Sequence, residues 1–150
     1  MKRFAWRLQR VLDLKIKEEE VKREALMAVT EQAAAVRGRI LMERAAFRRT
    51  LSELRGRDGW LRLTEQEMLL QYGHVFEARM RQLESRLAEL EEQRRAKIAE
   101  VLEVRKFRKG LEKLREKARA EFMKNGQKLE QNEMDEHTTI RFARALMEQS

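Results

Sequence analysis

Starting at Leu69, every seventh residue forms a row: Leu69, Phe76, Leu83, Leu90, Lys97, Val104, Leu111 and Ala118, apolar except at Lys97. Four residues further on, a companion row reads Gly73, Met80, Leu87, Arg94 and Val101. Apolar positions alternating at spacings of four and three on a charged background form the seam of a long coiled-coil helix. From Val104 onward the companions become Phe107 and Leu114, three residues after Val104 and Leu111. This predicts that the stripe drifts around the helix and widens toward its C-terminal part. A stripe of this length needs a partner.

The first third of the chain supplies one. Leu26, Ala33, Ile40, Phe47 and Leu54 repeat every seventh residue, with Val29, Val36 and Leu51 beside them. Further back the stripe passes through Phe4, Leu8, Val11, Leu12 and Ile16. The spacing predicts a first helix over about 2–54. Within it, Lys17 to Glu24 is nearly all charged. Glu18 and Lys22, and Glu19 and Arg23, stand four apart in the favourable orientation. That stretch is expected to be helical but loosely held to its partner.

The break between the helices is Arg55-Gly56-Arg57-Asp58-Gly59. Two glycines around an Asp end one helix and turn the chain, and Asp58 suits the N-cap of the next. Gly38, Gly73 and Gly110 stand alone inside helical pattern and cost about 1 kcal/mol each without stopping a helix. A second helix is predicted from about Trp60 to Lys124. Antiparallel pairing about Arg57 sets Phe4 and Leu8 beside Leu111 and Phe107, and Leu54 beside Leu61. At 1.5 Å per residue the pair is about 80 Å long. Residues from Arg115 to Ser150 then have no partner within the chain. Asn125-Gly126 marks an end or kink, and residues 127–150 form a tail, either a short helix or a segment that orders on binding. The expectation is thus one all-α coiled-coil domain, a long antiparallel two-helix hairpin with a C-terminal helical tail.

Composition supports this picture. Charged residues make up 40% of the 150 residues and aromatics 6%, which suits helices packed along one stripe rather than a thick layered core. Proline is absent, so nothing in the composition interrupts long helices. With no cysteine there is no disulfide framework or thiolate metal site. No apolar run reaches the roughly 20 residues of a membrane span, and no apolar signal core follows the basic start, which reads as a mature cytosolic protein.

Candidate chemistry is sparse. There is no phosphate-binding loop and no nucleophile elbow. Glu133 and His137, four apart, are two potential ligands, too few for a metal site. Two packed helices enclose no pocket. Neither an enzyme nor a cofactor is expected. The net charge of +8 points to an acidic partner. It concentrates in Arg105, Lys106, Arg108, Lys109, Lys113, Arg115, Lys117 and Arg119, offset only by Glu112 and Glu116. These charges suit either a solvated helix face with internal ion pairs or a collar for an acidic protein or polyanion. Aromatics for base stacking are not interleaved with them, which speaks against nucleic acid.

At this point the residues resemble a known family. Phe4, Leu8, Gln9, Val11-Leu12-Asp13-Leu14 and then Lys17-Glu18-Glu19-Glu20 are similar to the start of FliJ-like flagellar type III export proteins. The runs Leu111-Glu112-Lys113-Leu114-Arg115-Glu116-Lys117 and Glu130-Gln131-Asn132-Glu133-Met134-Asp135-Glu136, ending near Arg141 to Ala145, resemble the same family in order and spacing. The resemblance implies a two-helix coiled coil like the stalk of rotary ATPases, seated in the pore of a hexameric export ATPase. It implies further contacts with the membrane export gate and with export chaperones. It also places the chain, monomeric when alone, at the cytoplasmic side of the inner membrane at the flagellar base. The equivalent stalk of virulence secretion systems, a generic basic coiled-coil scaffold and a nucleic-acid-binding coil are the alternatives. If the first reading holds, the eight cations from Arg105 to Arg119 are the expected ATPase-binding surface, with the tail as a second contact.

Overall fold

In the computed structural model of the chain, residues 2–55 and 63–149 are described. Two helices account for nearly all of them: α1, Gln9–Arg55, and α2, Leu63–Glu148. They pack antiparallel, so the fold is the expected all-α coiled-coil hairpin. Residues 56–62, with both turn glycines, Asp58, Trp60 and Leu61, lie outside the described residues; Leu54 and Arg55 are the last described residues of α1. The chain divides into two compact units, Glu19–Glu103 and the pairing of Met1–Glu18 with Val104–Ser150.

In the unit of residues 19–103, the seam of α1 falls on Glu19, Lys22, Leu26, Val29, Ala33, Val36, Ile40, Glu43 and Phe47, all buried or half-buried. On α2 it falls on Leu69, Gly73, Phe76, Met80, Leu83, Leu87, Leu90, Arg94, Lys97 and Val101. Both are strict three–four alternations, because apolar side chains at that spacing share one face of a helix. Ala33 and Leu90 are each 1% exposed, a small residue and a large one in the tightest part of the seam. Phe47 stacks flat on Phe76, ring centroids 4.1 Å apart, and meets Tyr72 at 5.6 Å. Ion pairs stitch the flanks: Lys22 to Glu100 at 3.2 Å, Arg37 to Glu91 at 2.8 Å and Arg44 to Glu84 at 2.7 Å.

These pairs correct the expected register. Pairing about Arg57 would set Phe47 near residue 68, yet it meets Phe76. In the other unit Phe4 meets Phe122 rather than Leu111, and Phe107 lies under Lys15 rather than beside Leu8. Stacking of large rings across the seam, worth about 0.5–1.5 kcal/mol per aromatic pair beyond burial, then selects the alignment.

The charged run Lys17–Glu24 also departs from expectation. Glu19 is buried at 6% exposure, and Lys22 reaches across to Glu100 instead of back to Glu18. Glu18 takes Lys15 instead, at 2.9 Å. The seven-residue repeat carries Glu19 and Lys22 onto the seam whatever their polarity, so this stretch belongs to the pairing. Glu43 is a further seam carboxylate. Its Oε1 takes Arg39 at 3.4 Å and Arg79 at 3.7 Å, while Oε2 finds no donor among the described residues.

The unit of residues 1–18 and 104–150 opens without a helix. Residues 2–6 are irregular, and the first helical bonds run from Gln9 N–H to Trp6 O and from Leu12 N–H to Leu8 O, both 3.1 Å. The predicted helical start at residue 2 is thus corrected to Gln9. The irregular segment carries Phe4 to Phe122, seven residues beyond the Arg115 that binds Gln9. Extended chain advances about 3.3 Å per residue against 1.5 Å in a helix. About three extended residues therefore cover what seven helical residues span. The second helix does not end near Lys124. α2 passes through Asn125-Gly126 without interruption, since a lone glycine taxes a helix without breaking it. Its partnered part reaches Phe122, so the unpartnered arm begins after that residue and not at Arg115; every described residue from 127 on is exposed.

Candidate partner-binding surface

The eight cations from Arg105 to Arg119 all lie on α2, in the unit of residues 1–18 and 104–150. They do not form one surface. The seam of α2 continues as Val104, Arg108, Leu111, Arg115, Ala118 and Phe122, with Val104 and Leu111 buried and the rest half-buried. The predicted drift to Phe107 and Leu114 does not occur; these are 53% and 51% exposed. Keeping the seven-residue repeat preserves one continuous seam, and the long aliphatic stems of arginine cover that seam while their guanidinium groups reach its edge.

Two of the eight therefore turn inward. Arg108 donates from Nη1 to Glu112 Oε1 at 2.7 Å, its side chain 21% exposed. Arg115 donates from Nε to Gln9 Oε1 at 2.8 Å, and its guanidinium lies 5.9 Å from the Phe4 ring centroid, within cation–π range. Arg105 is half-buried beside them. Lys106, Lys109, Lys113, Lys117 and Arg119 are exposed and point to solvent. Arg115, whose planar fork donates directionally, holds α2 to Gln9, while the lysines, compact point charges on flexible stems, face outward with Arg119. Spacing alone would have separated the two sets had the seven-residue repeat been carried through Arg108 and Arg115.

The unpartnered arm adds exposed Met123, Leu129, Met134, Ile140, Phe142, Leu146 and Met147. Glu133 and His137 are exposed on this arm, and among the described residues no three potential metal ligands come together. None of the helices, as far as they are described, is long and apolar enough to cross a membrane.

A long antiparallel two-helix coiled coil with an outward cationic face and a projecting helical arm defines a helical-hairpin interaction protein. The chain matches the model of the flagellar FliJ protein over residues 4–146, nearly its whole length, and belongs to that family. It is accordingly a component of the flagellar protein export apparatus, and the family is non-catalytic. No curated protein and no solved structure matches it.

Proposed function

We propose that this chain is the stalk of the export ATPase. It binds and stimulates a hexameric ATPase through the run Arg105 to Arg119 and links that ring to the membrane export gate and to export chaperones. It works at the cytoplasmic side of the inner membrane, at the flagellar base. The family match over residues 4–146 carries this reading. The hairpin supports it physically, since a helix or helix pair about 10–20 Å across is slender enough for a ring pore.

Exposed lysines steer the hairpin toward an acidic collar and hold it without locking one orientation, because such contacts are long-ranged and individually weak. Lys106, Lys109, Lys113, Lys117 and Arg119 make the contact in this reading, while Arg115 ties α2 to Gln9 beneath them. The arm beyond residue 127 is the second contact.

The test is ATP hydrolysis by the cognate ATPase with and without the chain. Changing Lys109, Lys113, Lys117 and Arg119 to Glu should abolish stimulation while leaving the helical circular dichroism signal intact, because none of the four lies on the seam. Full stimulation by that variant would refute the assignment of this surface.

A further inference from the structure

One face of α2 carries a pattern that overlaps the cationic run and continues beyond it. Lys106, Lys113, Lys117, Lys124 and Lys128 follow each other at steps of seven, four, seven and four. At about 100° per residue, these steps confine the five ammonium groups to an arc of roughly 60°. The face lies away from the seam residues Val104, Leu111, Ala118 and Phe122, and all five lysines are exposed. Gly110 and Ala120 fill intervening turns, and Glu121, at the edge of the arc beside Lys117 and Lys124, is the one carboxylate against the five lysines between Lys106 and Lys128. Among the described residues, none of the five is in an ion pair, whereas Lys15 and Arg108 nearby both are. From first to last the row spans about 33 Å at 1.5 Å per residue.

We propose that this row lays the helix on an anionic lipid surface. A plane touches a cylinder along a single line, and the five lysines form such a line. Lysine supplies undirected positive charge, which a fluid layer of headgroups can meet at any register. Clusters of this size on a helix face are attracted to anionic leaflets, each residue strengthening binding about fivefold. Half-exposed Leu114 and Phe107 flank the row and supply apolar surface at headgroup depth. No aromatic lies on the row itself, so it offers no platform on which bases could stack. Lys106, Lys113 and Lys117 also belong to the run proposed for the ATPase, so one copy engages the ring or the lipid, not both. Lys124 and Lys128 belong to the row alone.

The experiment is sedimentation of the full chain with vesicles, without the ATPase, which separates this inference from the proposed stalk function. Vesicles of phosphatidylcholine with about a third phosphatidylserine should bind it, with an affinity that falls steeply as salt rises; pure phosphatidylcholine should not. Lys124→Gln with Lys128→Gln should weaken binding about thirtyfold, and adding Lys113→Gln and Lys117→Gln about a thousandfold. Neutralising Arg23, Arg48, Arg49 and Arg141, also exposed, should cost much less. The inference fails if the parent chain does not bind the anionic vesicles, or if the arginine control loses as much as the lysine variant. It also fails if a 20-nucleotide single strand binds more tightly than the vesicles with the same lysine dependence, which would make the row a nucleic-acid surface.

Discussion

Among single residues, position within the seven-residue repeat decides more than polarity does. Leu90 and Leu114 are both leucines on α2, yet Leu90 is 1% exposed and Leu114 51%. Leu90→Ala should therefore cost roughly 2–5 kcal/mol, the range for emptying a packed leucine site, and Leu114→Ala less than about 0.5 kcal/mol, as at an ordinary surface site. Chemical denaturation of the two variants measures the difference, and equal losses would overturn the seam. The same rule places Glu19 and Lys22 inward and leaves Phe107 outside. Polarity alone had assigned these residues the other way, because the apolar alternative at Phe107 and Leu114 looked locally better than Arg108 and Arg115. The arginines win because their stems pack and their heads find Glu112 and Gln9.

For the helices, the pairing is tuned by charge. Glu91 sits below the usual glutamate range chiefly because Arg37 donates a hydrogen bond to it, and Glu100 likewise because of Lys22. A carboxylate whose folded pKa is depressed adds stability above its unfolded value, about 4.3, and that contribution disappears as pH falls through the folded value. Thermal melts should therefore drop between pH 6 and pH 3, and Glu91→Gln with Glu100→Gln should drop less over the same interval. Identical drops would remove these pairs from the account. Both carboxylates are solvent-exposed, so salt should blunt the contribution. On α2, Gly126 lies mid-helix and a Cβ there would meet nothing within 4 Å. Gly126→Ala should stabilise the surrounding turns by about 0.5–1 kcal/mol. Slower amide exchange over residues 124–130 would register it; unchanged exchange would mean that the helix is not continuous there.

At the level of the whole molecule, the hairpin is intramolecular, and its lack of cysteine makes it easy to label. Spin labels at Met27 and Arg95, both exposed in the unit of residues 19–103, should lie within about 30 Å, since paired helix axes are about 8–10 Å apart. Mixing with excess unlabelled chain should leave that distance unchanged. Its loss on dilution would mean that the helices pair between two copies. Function also belongs to this level: the pairing of the helices takes two of the eight cations, Arg108 and Arg115, onto the seam and leaves five exposed.

The all-α hairpin, its two rows from Leu26 and Leu69 and its relation to the flagellar family were legible along the chain, because a repeat of seven is a property of the sequence. The cationic run was legible as composition, but the division between Arg108 and Arg115 on the seam and the five exposed cations was not, because Phe107 and Leu114 offered a competing apolar face. Nor were the register and the true start of α1. The reason is physical. A periodic stripe pairs almost equally well at several offsets one turn or more apart, and what separates them is contact between residues distant in sequence. Phe47 on Phe76 and Phe4 on Phe122 choose the offset, the irregular residues before Gln9 accommodate it, and the offset then determines where the unpartnered arm begins.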